Sequence, residues 1–105
     1  MGVTVKFNAA LKNLINVNFG NSIVFIKFGT DWCAPCQELD KILVNFPDSL
    51  LYHVNLDNDE FEHVMEEYNF KSIPYTIVKY RQDTRTFSGV KNEEQINKLI
   101  DDMKS

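Results

Sequence analysis

The chain has 105 residues, a formal net charge of −4, 44% apolar residues and 25% charged residues. That length makes a single domain over residues 1–105, whose core buries about 65% of the unfolded surface without needing staples. The acidic balance excludes nucleic acid as the main partner, since phosphate binding needs a basic face. The apolar runs are too short to span a membrane.

Val3, Val5 and Phe7 alternate with Thr4 and Lys6, so a short strand with one buried face opens the chain. Asn8 is placed to cap the next element, a helix with Leu11, Leu14 and Ile15 along one side. Asn18 to Ser22, with Gly20, breaks that pattern. Ile23 to Phe28 is apolar and β-branched, which reads as a strand buried on both faces. After Trp32-Cys33-Ala34-Pro35-Cys36, Leu39, Ile42, Leu43 and Phe46 form one stripe of a helix that runs to about Phe46. Pro47-Asp48-Ser49 ends it.

Leu50 to Leu56 reads as the next strand, interrupted by His53 and Asn55. Asp57 with Glu60 makes a capping box for a helix striped by Phe61, Val64, Met65 and Tyr68. The acidic residues there are explained by capping and the helix dipole better than by a metal. Asn69 to Ser72 leads to Ile73-Pro74 and a β-rich run from Tyr75 to Tyr80, which turns through Arg81 to Thr84 into Arg85-Thr86-Phe87. Gly89 follows. Asn92 and Gln95 offer a second capping box, before a stripe of Ile96, Leu99, Ile100 and Met103. The order is β-α-β-α-β-α-β-β-α, which predicts a three-layer α/β sandwich with a mixed sheet and an antiparallel hairpin at one edge.

Both cysteines of the chain lie in one pair, with two residues between them. Three readings are open for such a pair: a structural staple, half of a zinc site, or a redox dithiol. A staple over so short a loop stabilises little. Zinc asks for four ligands, and His53 and His63 fall on different elements. Redox chemistry is the better reading. Cys33 sits at a strand-to-helix turn, where the helix N-terminus favours a thiolate. Pro35 fits the first helical turn, and Cys36, one turn on, is close enough to close a disulfide. The N-terminus shows no secretory leader, so the expected setting is the cytoplasm, where such a pair is more often catalytic than structural.

At this point the chain resembles the thioredoxin family over essentially its whole length. Trp32-Cys33-Ala34-Pro35-Cys36, Ile73-Pro74 and Gly89 carry the likeness by order, spacing and strand–helix context. The resemblance implies a thioredoxin-like α/β/α sandwich and a monomeric protein-disulfide reductase with no bound cofactor. Its redox carrier would be the Cys33–Cys36 disulfide, and an NADPH-linked reductase would recharge it. By position, Cys33 is the exposed nucleophile and Cys36 the buried resolving thiol. Pro74 is the cis-proline. Trp32, Ile73, Pro74, Tyr75, Gly89 and Val90 border a groove for disulfide-containing protein substrates; for Trp32, simple packing beside the helix is the plainer alternative. Two rival functions stay open: thiol exchange towards oxidation or isomerisation, and a binding subunit that uses the groove alone.

Four positions depart from the family pattern. Ala34 replaces the commonest glycine, Tyr75 the usual threonine, and Lys41 the proline that kinks this helix. Lys27, the fourth, stands where the family buries an aspartate; beside that position, His53 lies where many members carry a lysine. Lys27 shares a strand face with Ile23 and Phe25. A positive charge there favours thiolates and raises the reduction potential, unless burial neutralises the lysine or its stem carries the ammonium out to water.

Overall fold

The computed structural model describes residues 3–5, 9–16, 20–56 and 61–105. Among them nine elements follow in the order β1 (Val3–Val5), α1 (Ala9–Ile15), β2 (Ile23–Gly29), α2 (Ala34–Leu43), β3 (Leu50–Asn55), α3 (Phe61–Tyr68), β4 (Tyr75–Tyr80), β5 (Asp83–Ser88) and α4 (Glu93–Lys104). The Asn8 cap, the Asp57–Glu60 capping box, Phe7 and the start of the break at 18–22 lie outside the described residues.

The strands form one sheet in the order β1-β3-β2-β4-β5. β1, β3 and β2 run parallel, β4 runs antiparallel to β2, and β5 pairs antiparallel with β4. β2 is central, and every one of its seven residues is buried. That burial is why its sequence is a continuous apolar run rather than an alternating one.

Two cores flank the sheet. On one face Ile23 and Phe25 pack with Leu39 and Leu43 of α2 and with Ile96, Ile100 and Met103 of α4. On the other, Val24, Ile26 and Phe28 pack with Leu11 of α1 and Val64 of α3. Alternation along β2 thus divides one run between two layers of helices, and the α/β/α sandwich follows.

Two boundaries differ from the sequence pattern by two residues or more. α2 ends at Leu43, not near Phe46, because the chain tightens into bonds from Asn45 N–H to Ile42 and from Phe46 N–H to Leu43. Phe46 still packs on Phe25, with ring centroids 5.7 Å apart, so the apolar stripe outlasts the helix. β5 starts at Asp83, two residues before Arg85. The hairpin closes over Arg81 and Gln82 alone, with Arg81 in the left-handed region at φ 56°. The Asn92 capping box forms: Gln95 N–H donates to Asn92 Oδ1 at 2.8 Å, and Asn92 N–H donates to Gln95 Oε1 at 3.0 Å.

Candidate active site

β2 runs through the centre of the sheet and delivers the chain to α2 through a short turn, and Cys33 is the N-cap of that helix. Its backbone is extended, at φ −87° and ψ 105°, and its N–H donates to the Thr30 carbonyl at 3.4 Å. Pro35 lies in the first turn of α2, where no intrahelical N–H bond is lost. Cys33 and Cys36 are joined in a disulfide. The Cys36 N–H donates to Cys33 Sγ at 3.2 Å. One sulfur therefore takes the place of a capping oxygen and receives a donor at the positive end of a helix.

Cys33 is 4% exposed and Cys36 2%, so in the disulfide form the expected exposed nucleophile is nearly as buried as its partner. A sulfur turned towards its partner and its own helix presents little surface. The residues beside it carry the exposure: Trp32, Ala34 and Pro35 are exposed. Trp32, at 68%, does not pack into the body of the protein; its ring lies 6.4 Å from that of Phe61 on α3.

Gly29 closes β2 behind the pair. A Cβ built there lies 2.9 Å from Cys36 Sγ and 3.2 Å from Cys36 Cβ. The absence of a side chain is what lets the Cys36 sulfur sit against the strand.

The peptide before Pro74 is cis, as the family resemblance implies. Pro74 is buried, and its carbonyl accepts from Gly89 N–H at 2.8 Å, with Gly89 at φ 75°. Ile73 and Tyr75 are half-buried against the α1/α3 core, and Val90 against the opposite core. Tyr75 stacks on Phe70, with centroids 4.3 Å apart and planes 10° apart. The larger side chain after the proline is thus folded back onto the protein's own aromatics.

Lys27 is 5% exposed; its ammonium neither reaches water nor stands bare. It donates to Oδ1 of Asp40 on α2, and to the Cys36 carbonyl at 3.5 Å. His53 is Lys27's neighbour in register on β3, and its Nδ1 lies 3.2 Å from the same Asp40 oxygen. That nitrogen is buried and is not aligned for a hydrogen bond. Burial pushes the His53 pKa below its ordinary value and Lys27 pushes the same way, against the upward pull of Asp40. Lys27 and His53, picked from the sequence, are therefore together, and Asp40 joins them. Asp40 escaped the sequence reading, although a carboxylate one helical turn after Cys36 is the partner that a buried lysine demands.

The Thioredoxin family model matches residues 3–102 of the chain. A thioredoxin from Ictalurus punctatus is 31% identical over 103 residues, covering 93% of this chain and 91% of the relative. Thioredoxin H2 from Arabidopsis thaliana is 25% identical over 90% of this chain and 76% of its own. The crystal structure of Chlamydomonas reinhardtii thioredoxin f2 superposes with a TM-score of 0.74 at 18% identity, covering 98% of this chain and 96% of that one, a likeness of fold.

Proposed function

This chain belongs to the thioredoxin family and is a thiol–disulfide oxidoreductase whose redox carrier is its own Cys33–Cys36 pair, and on that premise we propose that it works as a reductase of protein disulfides. Cys33 is the attacking sulfur and Cys36 the resolving one. The donor from Cys36 N–H to Cys33 Sγ, at the start of α2, is the observation that carries the assignment. It stabilises a Cys33 thiolate, while Cys36 lies within the helix with its sulfur against Gly29.

In the first step the Cys33 thiolate attacks one sulfur of a substrate disulfide. The substrate S–S bond breaks, and its other sulfur leaves as a thiolate that takes a proton from water. In the second step Cys36 loses its proton and attacks Cys33 Sγ. The Cys33–Cys36 bond forms, the mixed disulfide breaks, and the substrate's second sulfur leaves. Two electrons pass from the dithiol to the substrate, leaving the disulfide form described above.

Trp32, Ile73, Pro74, Tyr75, Gly89 and Val90 border the substrate groove. The exposure of Trp32 and the tie between Pro74 and Gly89 support that reading. The chain acts as one domain over residues 1–105, as a cytoplasmic monomer, and an NADPH-linked reductase returns it to the dithiol. Among the described residues no helix is long and apolar enough to cross a membrane.

Cys36→Ser is expected to trap a mixed disulfide with substrate through Cys33, and Cys33→Ser to abolish turnover. Trapping through Cys36 in the Cys33→Ser variant would reverse the assignment. The potential of the pair, measured against glutathione, decides the direction: a value near the protein-disulfide-isomerase range would sink the reductase reading.

A further inference from the structure

Lys27, Asp40 and His53 line a pocket of about 400 Å³ beside α2, together with Gly29, whose missing side chain is the space between Lys27 and Cys36 Sγ. A Cβ at Gly29 would touch both, at 2.9 Å from the sulfur and 3.7 Å from Lys27 Cε. The lysine stem thus passes directly behind the resolving cysteine. Three elements supply the charged and titratable groups around this space: Lys27 from β2, Asp40 from α2 and His53 from β3. Asp31, from the turn between β2 and α2, also lines the pocket and is engaged by Asn55 Nδ2 at 3.0 Å.

We propose that Asp40 is a positioning residue for the second step: it anchors the Lys27 ammonium beneath Cys36 and balances its charge, so that the couple sets how readily Cys36 gives up its proton. The proposal rests on Cys36 being the resolving thiol. In that step the Cys36 S–H bond breaks, the proton leaves to solvent through the pocket, and the remaining thiolate attacks Cys33. A positive charge behind Cys36 favours the thiolate and a negative charge opposes it. With both present the two fields oppose each other at Cys36, and removing either one unmasks the other. A couple of this kind differs from a purely structural pair in one observable way. Loss of the lysine and loss of the carboxylate move Cys36 in opposite directions, whereas loss of packing moves both alike.

The test titrates Cys36 by thiolate absorbance in a Cys33→Ser background, where it is the only thiol, and measures the potential of the intact pair against glutathione. Asp40→Asn is expected to make Cys36 about three- to tenfold easier to deprotonate at fixed pH and to raise the potential. Lys27→Met is expected to do the reverse by a similar factor and, with both cysteines present, to slow resolution of the mixed disulfide in single-turnover reduction of a protein disulfide. The double variant is expected to return towards the parent. Should Lys27→Met fail to fold, Lys27→Gln makes the same charge change. Shifts of the same sign in the two single variants, or none in either, would overturn the proposal. The Cys36 titration does not depend on which sulfur attacks substrate. Failure of the trapping experiment and failure of the charge couple are therefore separate results.

Discussion

Two lysines are buried in this sheet to nearly the same degree, Lys27 at 5% on β2 and Lys79 at 7% on β4, and they are held in different ways. Lys27 faces α2, sits behind a reactive sulfur and meets a carboxylate that also faces His53. Lys79 stands opposite Val24, on the other face of the sheet, and its ammonium donates to the carbonyl of Ile15 at the end of α1. A helix C-terminus offers unpaired carbonyls and the negative end of the dipole, so Lys79 fastens a helix to the sheet. Burial pushes the Lys79 pKa below its ordinary value. A buried cation answered by a backbone carbonyl is a clamp. The same cation answered by a carboxylate that also faces an imidazole lies beside a pocket and behind a redox-active disulfide.

The largest expected effect comes from filling the space that separates Lys27 from Cys36. Gly29→Ala puts a methyl group 2.9 Å from Cys36 Sγ and is expected to cost about 2–3 kcal/mol, measured by urea unfolding of the disulfide form. No loss would mean that the strand yields there, and that Lys27 is not held against the sulfur.

Asp40→Ala should come next. Removing one partner of a buried pair costs about 3–5 kcal/mol, but the Asp40 side chain is 36% exposed, so the expected loss is about 1–2 kcal/mol. Lys27→Met, which removes the charge and keeps the volume, is expected to lie within about 1 kcal/mol of the parent. Equal losses in the two variants would break the picture of a carboxylate that serves a buried lysine.

Lys79→Met removes a charged donor to the end of α1 and should cost about 1 kcal/mol, with hydrogen exchange quickening first in α1. The glutathione equilibrium should not move. A shift in the potential would erase the distinction between the two lysines.

The smallest effect belongs to His53. Its folded pKa lies below the ordinary histidine value, so the unfolded chain binds more protons between the two values. Stability therefore falls as pH drops through the ordinary histidine range towards the lowered one. His53→Gln is expected to flatten that part of the stability–pH curve and to leave stability above it nearly unchanged. An identical slope in parent and variant would show that His53 is not the group responsible.

The sequence by itself determined the element order, the two-sided burial of β2, the cysteine pair at a strand-to-helix turn and the Asn92–Gln95 box. Each of these is a local pattern, set by side-chain periodicity or by bonds within one turn of the chain. Only the tertiary structure decided which charge answers Lys27, because Asp40 reaches it across the gap between a strand and the helix packed on it, and His53 arrives by strand register. It also decided that Gly29 makes room for Cys36, that Cys33 is hidden in the disulfide form, and that Trp32 stands out beside Phe61. A buried charge or a bare sulfur needs a partner or an empty space in three dimensions. Spacing along the chain offers candidates, such as a carboxylate one turn after Cys36, but does not select among them, since folding brings the two sides together from separate elements.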